Sequence, residues 1–487
     1  MKKLFTIVLM ATATAGLAQT ERTAFTQSGK GVSVPFATDY QCAGINPSNL
    51  GWKSKHPAKK VTFGLLELGY SLTSTAFDGA GLRDDFIGSL TSDPEDFDYR
   101  EKVDGSKMFT GNSLAFNVDA MAFGIAFQDS SIGGISFVVR DRMQWFTEFN
   151  KNVSEIMFQG YLASYFTQLV LDSLNGQVIA NDANVTDDQR ARVVRGGNPN
   201  GMKASKLLNG SAYEFLWYRE YGLNYGRQVV KGEKMDLFAG VGIKYLQGFG
   251  LLDISSDGSE FIARSAMSPG FKIDYGDDHP QNPTYVAGDK MKPVGRGIGV
   301  DIGISAIINE NMRIGFSICD LGSITWDGNV YVAADSVVSS LDEDGFDNYN
   351  FFDQADNFAA DKGIYDWLPS EAIKVKLPTT LRGGAGYIVN EKVEVGVEAV
   401  VPMNEEPGAL RGVVFGLGGE YKPVEWIGLN LGLSTGGIYP MRIPFGLMIM
   451  PPSGTWEGGF AFRDVLSLGG GDEPTLGMCF GILRFRI

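Results

Sequence analysis

The segment Gly477 to Ile487 reads GMCFGILRFRI and constrains the fold more than any other stretch. From Cys479 onward every second residue, Gly481, Leu483, Phe485 and Ile487, is apolar or Gly, with Arg484 and Arg486 between them. Such alternation is a strand with one apolar and one charged face. In a chain that opens with an export signal, a closing strand of this kind predicts an all-β fold, a transmembrane antiparallel β-barrel. One strand face then meets lipid and the other a polar lumen.

The export signal is read from Lys2 and Lys3, the apolar stretch Leu4 to Leu17, and Gly16-Leu17-Ala18, which places cleavage before Gln19. The stretch is shorter than the roughly 20 apolar residues that span hydrocarbon. No Cys stands at the cleavage site, which argues against a lipoprotein. Past the signal no apolar run reaches spanning length, so the exported chain is either a soluble protein or a closed barrel. A net charge of −15 argues against a nucleic-acid partner. Cys42, Cys319 and Cys479 are too widely spaced for a disulfide framework or a zinc motif. With His56 and His279 the only histidines, neither His-dependent catalysis nor a multi-His metal site is expected. No enzyme activity and no cofactor are anticipated.

Strict alternation recurs along the chain. Ile298, Val300, Ile302, Ile304, Ala306 and Ile308 oppose Gly299, Asp301, Gly303 and Ser305. Met312, Ile314, Phe316 and Ile318 oppose Arg313, Gly315, Ser317 and Cys319. Asn309-Glu310-Asn311 joins these two runs as a hairpin. Met235 to Tyr245, Val393 to Val401, Ile427 to Ser434 and Leu66 to Leu72 follow the same rule. Glu67, Asp236, Lys244, Asp301, Arg313, Glu394 and Glu398 therefore project into the lumen if the apolar faces meet lipid. A soluble sandwich also alternates; the signal, the number of stripes and the terminal strand together favour the barrel. The Gly and Ser on the polar faces suit a lumen that houses a plug or a ligand. Trp217, Tyr221, Tyr225, Tyr245, Tyr421 and Trp426 are candidates for interfacial girdles, or for ordinary packing.

Asn152 to Leu174 breaks the pattern. Its apolar residues, Ile156, Phe158, Leu162, Phe166 and Leu169 among them, recur at helical spacing and predict an amphipathic helix between strands. It either packs on the barrel interior or rim, or acts as a lid. Ala180–Gly210, Glu260–Lys292 and Asp335–Lys374 read as long loops, the last rich in acids and aromatics and a possible binding surface.

Asp342-Glu343-Asp344-Gly345-Phe346-Asp347 has calcium-loop character but lacks the distal Glu, and reads as a solvated acidic loop. Asp274, Asp277, Asp278 and His279 read as solvated surface. Gly295-Arg296-Gly297-Ile298-Gly299 lacks the strand–turn–helix context of a phosphate loop. No nucleophile–base pair emerges, and no metal site is expected.

Asn46-Pro47-Ser48-Asn49-Leu50-Gly51 resembles the NPAGL-type N-terminal segment of FadL-like long-chain fatty-acid transporters. Tyr218-Arg219-Glu220-Tyr221-Gly222, Lys244-Tyr245-Leu246-Gln247-Gly248, Asp320-Leu321-Gly322 with Trp326, and Leu377-Pro378-Thr379 with Arg382-Gly383-Gly384 are similar to a Bacteroidota outer-membrane family of uncharacterised function. Related barrels, PorV among them, serve type IX protein secretion. The chain differs from the transporters in carrying Ser48-Asn49 where they have Ala-Gly, and in ending on Ile487 rather than an aromatic. The resemblance implies a barrel of roughly 14 strands plugged by an N-terminal segment that includes Asn46, Pro47 and Asn49. The expected layout is a signal peptide over 1–18, a plug over 19–60 and a barrel over 61–487. It further implies a porin-like outer-membrane protein that binds or passes small hydrophobic compounds. The alternative is a non-transporting accessory or scaffold that engages a protein partner through loops or plug. A soluble periplasmic β-protein and an outer-membrane enzyme are the remaining alternatives.

Overall fold

A computed structural model describes residues 24–53, 58–91, 95–172, 176–273, 290–350 and 365–487. The expected signal (1–18), the start of the expected plug (19–23), His56, the Asp274 to His279 acids and Phe351, Phe352 and Phe358 lie outside the described residues. The fold is all-β, a closed antiparallel barrel of 14 strands. Its first seven strands are β1 (Val61–Ser74), β2 (Ser113–Asp129), β3 (Gly133–Glu148), β4 (Ser211–Val230), β5 (Met235–Ser256), β6 (Gly295–Ile308) and β7 (Met312–Trp326). They are followed by β8 (Thr380–Asn390), β9 (Val393–Pro402), β10 (Val414–Val424), β11 (Ile427–Gly436), β12 (Phe445–Ile449), β13 (Trp456–Phe462) and β14 (Thr475–Arg486). Each strand pairs antiparallel with the next, and β14 closes the ring onto β1. Asn309 and Glu310 take positive φ in the β6–β7 turn, as a tight hairpin turn requires. Among the described residues no helix is long and apolar enough to cross a membrane.

The outer wall carries the apolar stripes. On β5, Met235, Ile243 and Tyr245 are 42%, 57% and 45% exposed, while Lys244 between them is buried. Met235 and Tyr245 are ten residue steps apart; at about 3.4 Å per step and about 40° of tilt these cover roughly 26 Å, close to the apolar band of a membrane barrel. Tyr221 and Tyr245 pack in a tilted pair at its upper edge, centroids 6.1 Å apart. Immediately above them the outward Arg219 pairs with Asp141 at 2.9 Å, a charged pair that marks the end of the apolar zone. Tyr225, Tyr421 and Trp426 are exposed towards the opposite edge. Trp217 departs from the girdle expectation: it packs against Phe249 and Phe271 above the band. Cysteines placed at Val397 or Leu431 are expected to react with a lipid-soluble maleimide in membranes. Cysteines at Glu398 or Asn430 should stay unreactive until the barrel unfolds. Equal labelling of the two sets by a water-soluble reagent would show that the apolar face does not meet lipid.

The terminal strand corrects the expected parity. Cys479 and Gly481 do not share a face with Leu483, Phe485 and Ile487. The register of β13 against β14 shifts between Glu457 and Gly459, so β14 holds one extra residue there and both Ile482 and Leu483 point outward. Arg484 and Gly481 then both face the lumen. β1 matches this with an extra residue at Leu66, whose φ is 53°, and β2 with one between Met121 and Phe123. One β-bulge row thus crosses three neighbouring strands, and each strand keeps its alternation on either side of it.

Short turns join the strands at the end where Val61 and Ile487 meet; long segments join them at the other. The long segments build a cap. Helices α1 (Tyr99–Phe109) and α2 (Lys151–Gln159) bring Phe109 and Phe158 to 5.3 Å. Their core continues onto the outward upper faces of the first strands through Leu72, Phe116, Trp145, Phe215 and Leu252. The predicted helix over Asn152–Leu174 is therefore cut short. It stops at Gly160, whose φ of 55° leaves the helical region. The Glu343–Phe346 backbone packs on this end through the Tyr161 N–H to Glu343 and the Phe346 N–H to Met157 bonds, leaving no room for a side chain at 160. Residues Gln168–Leu171 turn into a strand of a small four-stranded sheet with Val178–Ala180, Val193–Lys203 and Val337–Leu341. The predicted loops over 180–210, 260–292 and 335–374 also hold strands, Phe261–Met267 continuing on β5.

Candidate functional site

Residues 24–53 run through the lumen, almost all buried. Short helical turns at Phe25–Ser28, Asp39–Cys42 and Pro47–Gly51 fold this segment against the wall. Pro47 opens the last turn, and Asn46 caps it by accepting from the Ser48 N–H at 3.1 Å. The Asn46 amide donates to the Ile304 carbonyl at 3.1 Å. Asn49 donates to Val34 and Ala37 at 2.8 and 2.9 Å, folding the segment on itself. Ser48 and the Trp52 indole both reach the Ser305 hydroxyl, at 2.8 and 3.0 Å. The residues singled out for the plug, Asn46, Pro47 and Asn49, thus sit inside the barrel.

Glycine on the inner wall makes room for it. A Cβ at Gly134 would collide with the Leu50 backbone, at Gly240 with Pro47, at Gly303 with Asn46, at Gly416 with Gly31 and at Gly432 with Lys30. Gly386 and Gly396 would meet the Phe36 ring, and Gly481 the Phe25 ring. The segment therefore lies at van der Waals distance from nearly the whole circumference.

Charges complete the seal. Buried Lys30 sits between Glu394 and Glu420, the latter at 2.9 Å. Glu398 accepts from the Ser33 and Val34 backbone N–H groups and pairs with Arg382 at 3.4 Å. Arg484 binds Asp39, donates to Gln41 at 2.8 Å and pairs with Glu457 at 3.2 Å. Glu67 accepts from the Tyr40 hydroxyl and from Gln41 at 3.0 Å. Arg313 lies over the Trp52 ring, 5.1 Å from its centroid. Ions removed from water in this way cost free energy unless they are paired and hydrogen-bonded; Lys30, Glu398 and Arg484 each have an ion-pair partner, whereas Arg313 rests on the Trp52 ring.

A second charged layer lies above the plug. Lys244 bridges Asp301 and Asp320 at 2.5 and 2.7 Å. Asp301 also accepts from the Asp320 N–H at 2.8 Å. Asp320 has φ 64°, a bulge that turns its carboxylate inward beside Cys319. Arg142 reaches Asp320 at 3.4 Å and the Tyr218 hydroxyl at 3.0 Å. Higher still, residues 403–413 fold over the mouth. Gln144 donates to the Gly408 carbonyl at 2.7 Å, and Arg411 pairs with Glu214. Arg264 holds Glu406 at 3.1 Å and Asp253 at 2.7 Å.

Of the residues expected to line the lumen, Glu67, Glu394 and Glu398 thus meet the plug, with Arg313 beside it. Lys244 and Asp301 form the upper layer. Asp236 stands apart, half-buried at the β4–β5 turn, where it accepts from the Gly232 N–H at 3.3 Å. Sequence reading missed Lys30, Asp39, Arg142, Asp320 and Arg484 as partners. The signal that could have found their level was the recurrence of Gly on the polar faces. In the acidic stretch Asp342 pairs with Arg195, one bond at 2.7 Å, which holds its carboxyl below the usual range. Asp347 pairs with Lys102 at 3.2 Å. Among the described residues no acid–His–Cys cluster is placed to hold a metal ion. Gly295 to Gly299 form the start of β6, which is not a phosphate-binding turn.

The sequence model of a family of unknown function (DUF5723) matches residues 179–436. No curated protein matches the chain. Among solved structures, the toluene transporter TodX of P. putida is similar at 12% identity over 95% of this chain and 97% of that one, with a TM-score of 0.42. The toluene transporter TbuX of Ralstonia pickettii is similar at 10% identity over 95% and 97%, with a TM-score of 0.41. A Pseudomonas aeruginosa FadL homologue is similar at 10% identity over 97% and 99%, with a TM-score of 0.39.

Proposed function

The chain belongs to that family of unknown function, DUF5723, and we propose that it is an outer-membrane β-barrel that binds and passes small hydrophobic compounds. The observation that carries this is the sealed lumen. A channel for polar solutes needs a continuous wet path. Here residues 24–53 fill the barrel at one level, and a charged layer and residues 403–413 close it above. What the molecule offers a cargo instead is apolar surface. One shallow, open groove on the outer wall is lined mainly by Ile314, Phe316, Val397, Phe415, Leu417 and Leu433. In cells lacking the protein, uptake of a monoaromatic hydrocarbon or a long-chain fatty acid is expected to fall at least several-fold. Uptake of a small sugar should stay unchanged. Equal hydrocarbon and fatty-acid uptake with and without the protein would remove the transport reading.

A second reading, a non-transporting scaffold such as an accessory of type IX secretion, is favoured by the fit of the plug to the wall glycines. A segment that touches so many strands suits permanent closure. A partner that co-purifies stoichiometrically, together with unchanged uptake, would select it.

A further inference from the structure

We infer that the barrel's closing seam holds one acyl chain of a membrane phospholipid in a groove on its outer face. The observation is the bulge row and what lies over it. The β1–β14 ladder pairs Leu65 with Leu483 and Leu68 with Phe480 but skips the residues between. In hydrocarbon each backbone polar group needs a partner. The Ile482 carbonyl finds one outside the ladder, in the Trp456 indole N–H at 2.7 Å. That bond lays the Trp456 ring over Gly458, where a Cβ would come within 2.6 Å of it. A trough of about 410 Å³ results, floored by Gly458 and Gly459 and walled by Leu447, Trp456, Phe460 and Ile482 among others.

The shape and the surroundings select the occupant. The trough runs along the strands and opens onto the same outward surface as Leu65, Leu66 and Ile482, which are 37%, 66% and 59% exposed. Tyr70 and Met478 end it on the cap side, where both pack into the cap core. Its other end opens near the β12–β13 turn, where Lys59 donates to the Ser453 carbonyl. A linear apolar chain lying along the trough with its tail towards the capped end would place its headgroup at this end, near Lys59. The site is continuous with the lipid-facing wall, so a phospholipid of the leaflet on the short-turn side is the occupant. This inference rests on the wall and not on the transport reading.

Native mass spectrometry of protein purified in a detergent that strips surrounding lipid tests it. The wild-type protein is expected to retain one phospholipid. Leu447→Trp and Ile482→Trp, which fill the trough from outside, should each lose it, while Leu431→Trp, on the lipid-facing wall elsewhere, keeps it. A heat-modifiable gel band for each variant shows that the barrel has folded, and two filling variants guard against one that does not. The same lipid count in all four proteins overturns the inference. So does a retained mass equal to a free fatty acid.

Discussion

Leucine at both Gly240 and Gly432 is expected to drive residues 24–53 from the lumen and turn a silent barrel into a conducting pore. A Cβ at Gly240 meets the backbone of Pro47, and one at Gly432 meets the carbonyl of Lys30. Overpacking of a core costs about 1–3 kcal/mol where side chains can rearrange. These obstacles are backbone, so only displacement of the segment relieves them. The two positions act on opposite parts of the plug, the Pro47 turn and the Lys30 anchor. Once Lys30 leaves, Glu394 and Glu420 lose their buried cation, which costs about 3–5 kcal/mol while they remain dry. Water entering the lumen removes that cost and favours the open form. In planar bilayers the wild-type protein should show no conductance steps, and the double variant and a deletion of residues 24–52 should both show them. A conducting deletion beside a silent double variant would mean that the plug bends around leucine. A silent deletion would mean that residues 403–413 and the charged layer seal the barrel without the plug.

The stripes on β6, β9 and β11 were legible because alternation is a local property and the lipid-facing band tolerates few polar residues. Ile304, Val397 and Leu431 face outward and Asp301, Glu398 and Asn430 inward, as the period predicts. The bulge row was not legible. A single extra residue at Leu66 or Ile482 leaves both flanking runs alternating, and only the paired strand reveals the change of phase. Hence the parity assigned to Gly481 and Leu483 failed while that of Arg484 and Arg486 held. The cap was misread for another reason. α2 ends at Gly160, where a distant segment, Glu343 to Gly345, packs, and its helical period runs on into residues that pair as strand. The plug could be placed through Asn46, Pro47 and Asn49, but its anchors could not. Lys30 and Glu394 lie 364 residues apart, and no local pattern couples them.

Lys244→Met is expected to destabilise the folded barrel by about 3–5 kcal/mol, because it leaves Asp301 and Asp320 buried without their shared cation. Arg142 stays near Asp320 at 3.4 Å, but Asp301 has no second cation within ion-pair reach among the described residues. Adding Asp301→Asn should recover most of the loss, since removing both partners of a buried pair is far cheaper than removing one. Lys60→Ala is the contrast. Its pair with Asp129 is exposed on the lysine side, and surface pairs contribute about 0–1 kcal/mol. Urea titration of the heat-modifiable band in all three variants gives the comparison. The size of the Lys244 effect also bears on function. A loss under about 1 kcal/mol, no more than a surface pair contributes, would mean that water already reaches Asp301 and Asp320. The layer above the plug would then be a wet vestibule, with residues 24–53 left as the sole barrier to a polar solute. A loss of the full amount means a dry layer and a lumen closed at two levels, and a cargo that crosses the membrane then has to do so along apolar surface.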